Sequence, residues 1–139
     1  MSELADLELR VARIERELEV APFVTVPAIA SVRKICEDAA RITGLKYAEI
    51  IGQGRARELS YARFAVIYAA RLAYGYSLPR IGRALGNRDH TTILSGEKRA
   101  RELREQDLEF LELSERLYRL ASERARQFLD LLTHEGDRN

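Results

Sequence analysis

Between Leu78 and Leu94 the chain reads LPRIGRALGNRDHTTIL, and Asp89, His90, Thr91 and Thr92 stand side by side within it. These side chains have the chemistry of base-edge recognition in the major groove of a DNA duplex. A carboxylate accepts from the cytosine amino group, a threonine methyl touches the thymine methyl, and an imidazole donates or accepts at purine edges. Arg88, immediately before them, is placed to meet a phosphate, aided by the positive end of the helix that follows. A plainer reading has Asp89 and Thr91 only capping a helix and His90 lying idle on the surface. Taken alone, the four residues favour the plainer reading.

What separates the two readings is how the backbone carries these groups. Ser77 is an N-cap residue, and Pro79 stands in the first turn, where its missing N–H costs nothing. Leu78, Ile81 and Leu85 recur at helical spacing and face inward. Gly86 ends that helix, Asn87 tolerates a left-handed backbone, and Asp89 caps a second helix opening at His90. In the second helix Ile93 and Leu94 are expected to face the core, with His90, Thr91, Ser95, Lys98 and Arg99 on the outside. Helix, glycine turn and polar-faced helix together spell a helix-turn-helix.

The preceding residues supply a core. Ile29, Val32, Ile35, Cys36, Ala39 and Ile42 share one face of a helix predicted over 28–42, closed by Gly44. A short helical turn at 47–51 ends at Gly52 and Gly54. A basic stretch with Arg55 and Arg57 follows, then a Ser60 N-cap and a long helix over 61–74 with Phe64, Ala65, Ile67, Tyr68 and Leu72 inward, ending near Gly75. No segment alternates with the period of a strand. The expected fold is all-α, a compact domain over 28–104 with amphipathic helical extensions at both termini. One extension, over 1–27, carries Leu4, Leu7, Val11, Ile14 and Leu18 at heptad spacing and then a linker bracketed by Pro22 and Pro27. The other, over 105–139, repeats Leu111, Leu113, Leu117, Leu120, Ala121, Phe128, Leu131 and Leu132 among charged residues. Two readings stand for each: packing on the domain, or pairing with a second copy or another protein.

Charge distribution agrees with a nucleic-acid partner. The 139 residues carry a net charge of only +1, yet residues 28–104 hold 15 Lys or Arg against 7 Asp or Glu, while both terminal segments are acidic. A basic middle between acidic ends is the footprint of a domain that meets phosphates. Catalysis is poorly served: His90 and His134 are the only histidines, Cys36 is the only cysteine, and no metal-ligand or nucleophile-elbow spacing occurs. We expect no enzyme activity, no cofactor and no metal. The start of the chain lacks a signal peptide and no apolar run is long enough to span a bilayer, which points to the cytoplasm.

The stretch SLPRIGRALGNRDHTTIL closely resembles the signature of the C-terminal duplex-binding domain of the bacterial replication initiator DnaA. The likeness runs upstream through YARFAVIYAARLAYGYS without a gap and covers about 28–104. It implies roles position by position. Arg55 matches the loop arginine that enters the minor groove. Arg57, Arg63 and Arg71, the helix start at Ser77, Leu78 and Pro79, and Arg88 and Arg99 match or adjoin positions on the DNA backbone. Asp89, His90, Thr91 and Thr92 match the base-reading turn. Some positions depart: Asn87 replaces a second glycine, Tyr61 and Ala62 replace a basic residue and a proline, Phe64 replaces a polar residue, and Gly75 and Tyr76 replace polar residues. These changes bear on affinity more than on which site is preferred.

No GxxxxGK[ST] phosphate loop is present, so no nucleotide is expected and the chain reads as a stand-alone module. The resemblance implies specific binding of double-stranded DNA at a DnaA-box-like site, regulating replication or transcription at the nucleoid. The alternative is a helical protein-interaction module on the same fold with weak or no specific DNA binding.

Overall fold

Alanine sets the architecture. In the computed structural model, which describes residues 28–137, the helix Arg57–Tyr74 buries Ala62, Ala65, Ala69, Ala70 and Ala73 together with Val66 and Ile67. The alanines share one broad face of the helix and let neighbours approach it closely, and three long helices pack on it. The elements in chain order are α1 (Ala28–Thr43), α2 (Tyr47–Ile50), α3 (Arg57–Tyr74), α4 (Leu78–Ala84), α5 (His90–Gln106) and α6 (Leu108–Asp137). Among the described residues there is no strand. The heptads and proline linker expected over 1–27 lie outside the described residues.

α1, α5 and α6 all pack on α3, and α4 bridges α1 and α5. α1 presents Val32, Ile35, Cys36 and Ala39, all fully buried, as its helical period requires. The ends of the helices follow local signals: Gly44, Gly75 and Gly86 adopt positive φ of 80°, 66° and 75°. The start of α3 departs from expectation. It opens at Arg57 rather than after Ser60, with Ala56 at the cap position and no side-chain cap. A pair one turn apart supports the extra turn: Arg57 Nη2 donates to the Tyr61 hydroxyl at 3.0 Å and its guanidinium lies 5.0 Å from the ring centre.

α6 resolves half of an open alternative. Phe110, Ser114, Leu117 and Ala121 are buried on one stripe, so the first turns of the C-terminal helix belong to the same core as residues 28–104. Tyr61 meets Phe110 edge-on at 5.7 Å and Tyr74 meets Arg124, so α3 and α6 run side by side in the same direction. Asp107 alone separates α5 from α6, and its carboxylate accepts from Phe110 N at 3.1 Å to cap α6. Arg104 fixes the angle of the break by donating to Ser114 Oγ at 2.7 Å and to Glu115, with its guanidinium 4.2 Å from the Tyr68 ring centre. Farther along, Leu131 is 63% exposed.

Candidate nucleic-acid interface

The turn between α4 and α5 is built by close backbone approach. Ser77 Oγ accepts from Arg80 N at 3.4 Å, which starts α4, and Pro79 fills its first turn. Ile81 and Leu85 are fully buried, and Leu78 is half-buried. Arg88 N then donates to Gly82 O at 2.7 Å and folds the chain back on α4. A Cβ on Gly82 would lie 2.1 Å from Arg88 O, so no larger residue fits without moving the backbone. Asn87 takes the left-handed conformation at φ 58°, in line with the tolerance of asparagine for that region.

α5 starts with the candidate reading turn. Asp89 occupies the cap position without capping by its side chain; its carboxylate accepts instead from the Thr91 hydroxyl, and His90 Nδ1 lies 3.2 Å from it. The Thr91 hydrogen bond holds the Asp89 carboxyl below the usual carboxylate range, with the nearby imidazole acting in the same direction. At neutral pH Asp89 is therefore an acceptor only. Asp89, His90, Thr91 and Thr92 are all exposed.

The inner stripe of α5 is Ile93, Gly96, Glu97, Ala100 and Leu103. Leu94 does not join it. At 39% exposure it lies outside, because Thr91, Leu94, Ser95 and Lys98 share the opposite face of the helix. The expectation of an inward Leu94 fails by one step of helical phase. Gly96 is needed on the inner stripe, where a Cβ would come within 2.7 Å of Ile67 Cδ1 and 3.3 Å of Phe64 Cδ1.

The arginines divide into two groups. Arg55 is exposed, and no hydrogen bond or ion pair engages it among the described residues. Arg57 is exposed at the start of α3, and Arg99 is exposed on α5 with Glu102 at 3.0 Å. Arg63 takes a different post from the phosphate contact expected of it. It is buried, and its Nε donates to Ile50 O at 2.7 Å, its Nη1 to Gly54 O at 2.6 Å, and its Nη2 to Glu49 O at 2.9 Å and Gly52 O at 3.0 Å. Burial lowers its pKa and the nearby Arg88 charge adds to this. Arg88 also turns inward: it donates to Leu85 O at 2.7 Å, Gly52 O at 2.5 Å and Ile51 O at 3.4 Å. Arg71 is half-buried, donating to Tyr76 O at 2.9 Å and lying 3.6 Å from Glu97, which Arg101 also holds at 3.1 Å.

Sequence reasoning missed the parts played by Gly82 and Leu94. A glycine inside the short helix LPRIGRA was itself the signal for close packing, and the spacing from Thr91 to Leu94 was the signal for a shared outer face. Departures from the resembled pattern are packing residues here. Tyr61 joins Arg57 to Phe110, Phe64 fills the space over Gly96, and the buried Tyr76 stacks on Tyr74 at 5.0 Å.

A short helix, a turn folded back on that helix and a second helix with an exposed polar first turn define a helix-turn-helix domain. Comparison with protein families gives the particular kind. Residues 32–100 match the bacterial dnaA protein helix-turn-helix, and this part of the chain belongs to that family. The matched family is a helix-turn-helix and not a catalytic domain. The chromosomal replication initiator protein DnaA of Corynebacterium jeikeium is 32% identical over 101 residues, covering 72% of this chain and 16% of the relative. That of Thermus thermophilus is 37% identical over 94 residues, covering 68% of this chain and 19% of the relative. The chain thus spans less than a fifth of the length of these relatives. A crystal structure of a DNA replication initiation factor superposes with a TM-score of 0.62 at 25% identity, over 71% of this chain and 30% of the other. No described helix is long and apolar enough to cross a membrane, and no cluster of potential metal ligands occurs among the described residues.

Proposed function

We propose that this chain binds double-stranded DNA at a DnaA-box-like site and regulates replication or transcription by occupying such sites. The observation that carries the reading is the exposed first turn of α5 in a family helix-turn-helix, with Asp89, His90, Thr91 and Thr92 all turned to solvent. Their side chains supply donors, acceptors and methyls at the end of a helix that a major groove admits. Arg55, exposed directly after Gly54, is the minor-groove candidate. Ser77, Leu78 and Pro79 at the start of α4, with Arg57 and Arg99, are the backbone candidates. Arg71 would add to them with whatever part of its guanidinium Tyr76 and Glu97 leave open. Such a protein would work in the cytoplasm at the nucleoid. Any pairing of copies, or a protein partner, would use the terminal helices, and on α6 the exposed Leu108 and Leu131, because Phe110, Leu117 and Ala121 are taken by the core.

The test is a titration by fluorescence anisotropy against a duplex carrying the DnaA-box consensus and a scrambled duplex at physiological salt. A preference of about a hundredfold or more for the box is expected of a specific binder. Replacing His90 or Thr91 by alanine should cost on the order of 1–3 kcal/mol on the box and little on the scrambled duplex. Equal losses on both would remove the base-reading role, and equal binding of wild type to both would overturn the reading.

A further inference from the structure

Arg63 and Arg88 come from different elements, α3 and the helix-turn-helix turn, yet both donate to the same carbonyl, Gly52 O, at 3.0 and 2.5 Å. Between them they engage the carbonyls of residues 49, 50, 51, 52 and 54, an almost unbroken run that ends one residue before Arg55. The backbones approach as closely as the side chains do. A Cβ on Gly86 would lie 2.1 Å from Ile51 O, so the helix-turn-helix turn rests directly on this loop. Arg88 N is meanwhile fixed to Gly82 O, and the next residue is Asp89, the first of the reading turn. The loop before Arg55 and the start of α5 are therefore joined by the side chain of Arg88 and by the backbone approach of Gly86 to Ile51, with the buried Arg63 beneath.

We infer that Arg63 and Arg88 form a clamp that holds the Arg55 loop in fixed register with the reading turn of α5, so that the two elements engage DNA as one rigid body. This rests on the DNA-binding reading above and deepens it. Arg88 acts as a positioning residue, with its guanidinium fork spent on Leu85 O and Gly52 O rather than on phosphate. A planar fork reaches two such acceptors at once, which an ammonium on a flexible stem does not reproduce. Rigid linkage matters because each reader then spends little ordering entropy once the other has bound. Uncoupling the loop should make Arg55 nearly worthless without touching Arg55 itself.

The experiment is a double-mutant cycle on the full chain, using Arg88→Lys, Arg55→Ala and the pair, against the box duplex and the scrambled duplex over a salt series. In wild type, Arg55→Ala should weaken box binding by about tenfold or more, within the reach of a good groove contact. In the Arg88→Lys background the same change should cost less than about threefold, since contacts coupled through one element are not additive. The salt slope of Arg88→Lys should equal that of wild type and its scrambled-duplex binding should be unchanged. An undiminished Arg55 effect in the Arg88→Lys background overturns the clamp. A second variant leaves Arg88 intact, should its replacement unfold the protein: two glycines inserted between Gly54 and Arg55 should abolish the Arg55 contribution, and its survival would equally overturn the clamp. Wild type showing no box preference would instead remove the functional reading itself, an outcome visible before any variant is made.

Discussion

Arginine does opposite work on two sides of this molecule. On the side where α6 packs, arginines meet carboxylates: Arg124 holds Asp38 at 2.7 Å, Arg104 holds Glu115, and Arg126 holds Glu123. Around the helix-turn-helix, Arg63 and Arg88 are held just as firmly but by neutral carbonyls. A carboxylate cancels the charge it binds; a carbonyl satisfies the donors and leaves the charge standing. The helix-turn-helix side thus keeps the field of its structural arginines, whereas the arginine–carboxylate pairs on the α6 side cancel. Positive potential on the helix-turn-helix side comes from cations already fixed by internal hydrogen bonds as well as from free exposed ones, and the fixed ones lose little side-chain entropy when a polyanion arrives.

The largest effect should come from breaking the packed side. Phe110 is 1% exposed against Tyr61 and the core, and Phe110→Ala should cost about 3–5 kcal/mol, read by denaturant unfolding. If the loss is far smaller, α6 is an attachment and the contrast between the two sides weakens. Gly82→Ala strikes the other side. It forces a methyl into a space 2.1 Å from Arg88 O, and should lower stability by about 1–3 kcal/mol while removing most box preference. Normal unfolding with normal binding would show that the turn has slack.

A third change tests the charge argument directly. Gln53 is exposed between the two clamped glycines, and Gln53→Glu would put a carboxylate where the loop has only carbonyls. Binding of all duplexes should fall on the order of three- to tenfold at low salt, with the melting temperature unchanged. An unaffected affinity would mean the field at this loop does not matter. The smallest effect concerns Cys36, whose thiol is pushed up from 9.0 to about 12, mainly by burial and then by Glu37. Native protein should leave a thiol reagent unreacted at pH 8, and labelling should track unfolding. Because the folded pKa is the higher one, this contribution to stability is complete below about 9 and declines as pH rises toward 12. Rapid labelling of the folded chain would contradict the packing of α1.

Features written in local chemistry were legible in the sequence. Ser77 with Pro79, the Gly44 and Gly75 ends, the inward face of α1 from Val32 to Ala39 and that of α4 all rest on residues within a turn or two of one another; the side chain of Ile29, expected on the same face of α1, lies outside the described residues. Arg55 and Arg63 were not separable that way. Arg55 lies in the basic stretch and Arg63 in the helix just after it, and only the carbonyl-lined hollow formed by α2 and its following loop makes one of them internal. The start of α3 was hidden because Ser60 offers a better cap than Ala56, and the Arg57–Tyr61 pair that extends the helix carries no cap signal. For the C-terminal segment, amphipathic spacing showed that a face must be covered but not by what; Tyr61 and the small residues of α3 supply the cover. Leu94 shows the other limit: neighbouring residues on a helix point about 100° apart, and on α5, which packs along one narrow stripe, Leu94 falls outside when Ile93 lies inward.

α6 has 30 residues, which makes it about 45 Å long, roughly the length of 13 base pairs. Its first turns are anchored in the same core that carries α5, with a single residue between the two helices. The tip therefore behaves as a pointer with a set direction. If the bound DNA sequence is asymmetric, turning that sequence round in a chromosome swings the pointer to the opposite flank. Orientation of a site, as well as its presence, would then be visible to anything that touches the tip.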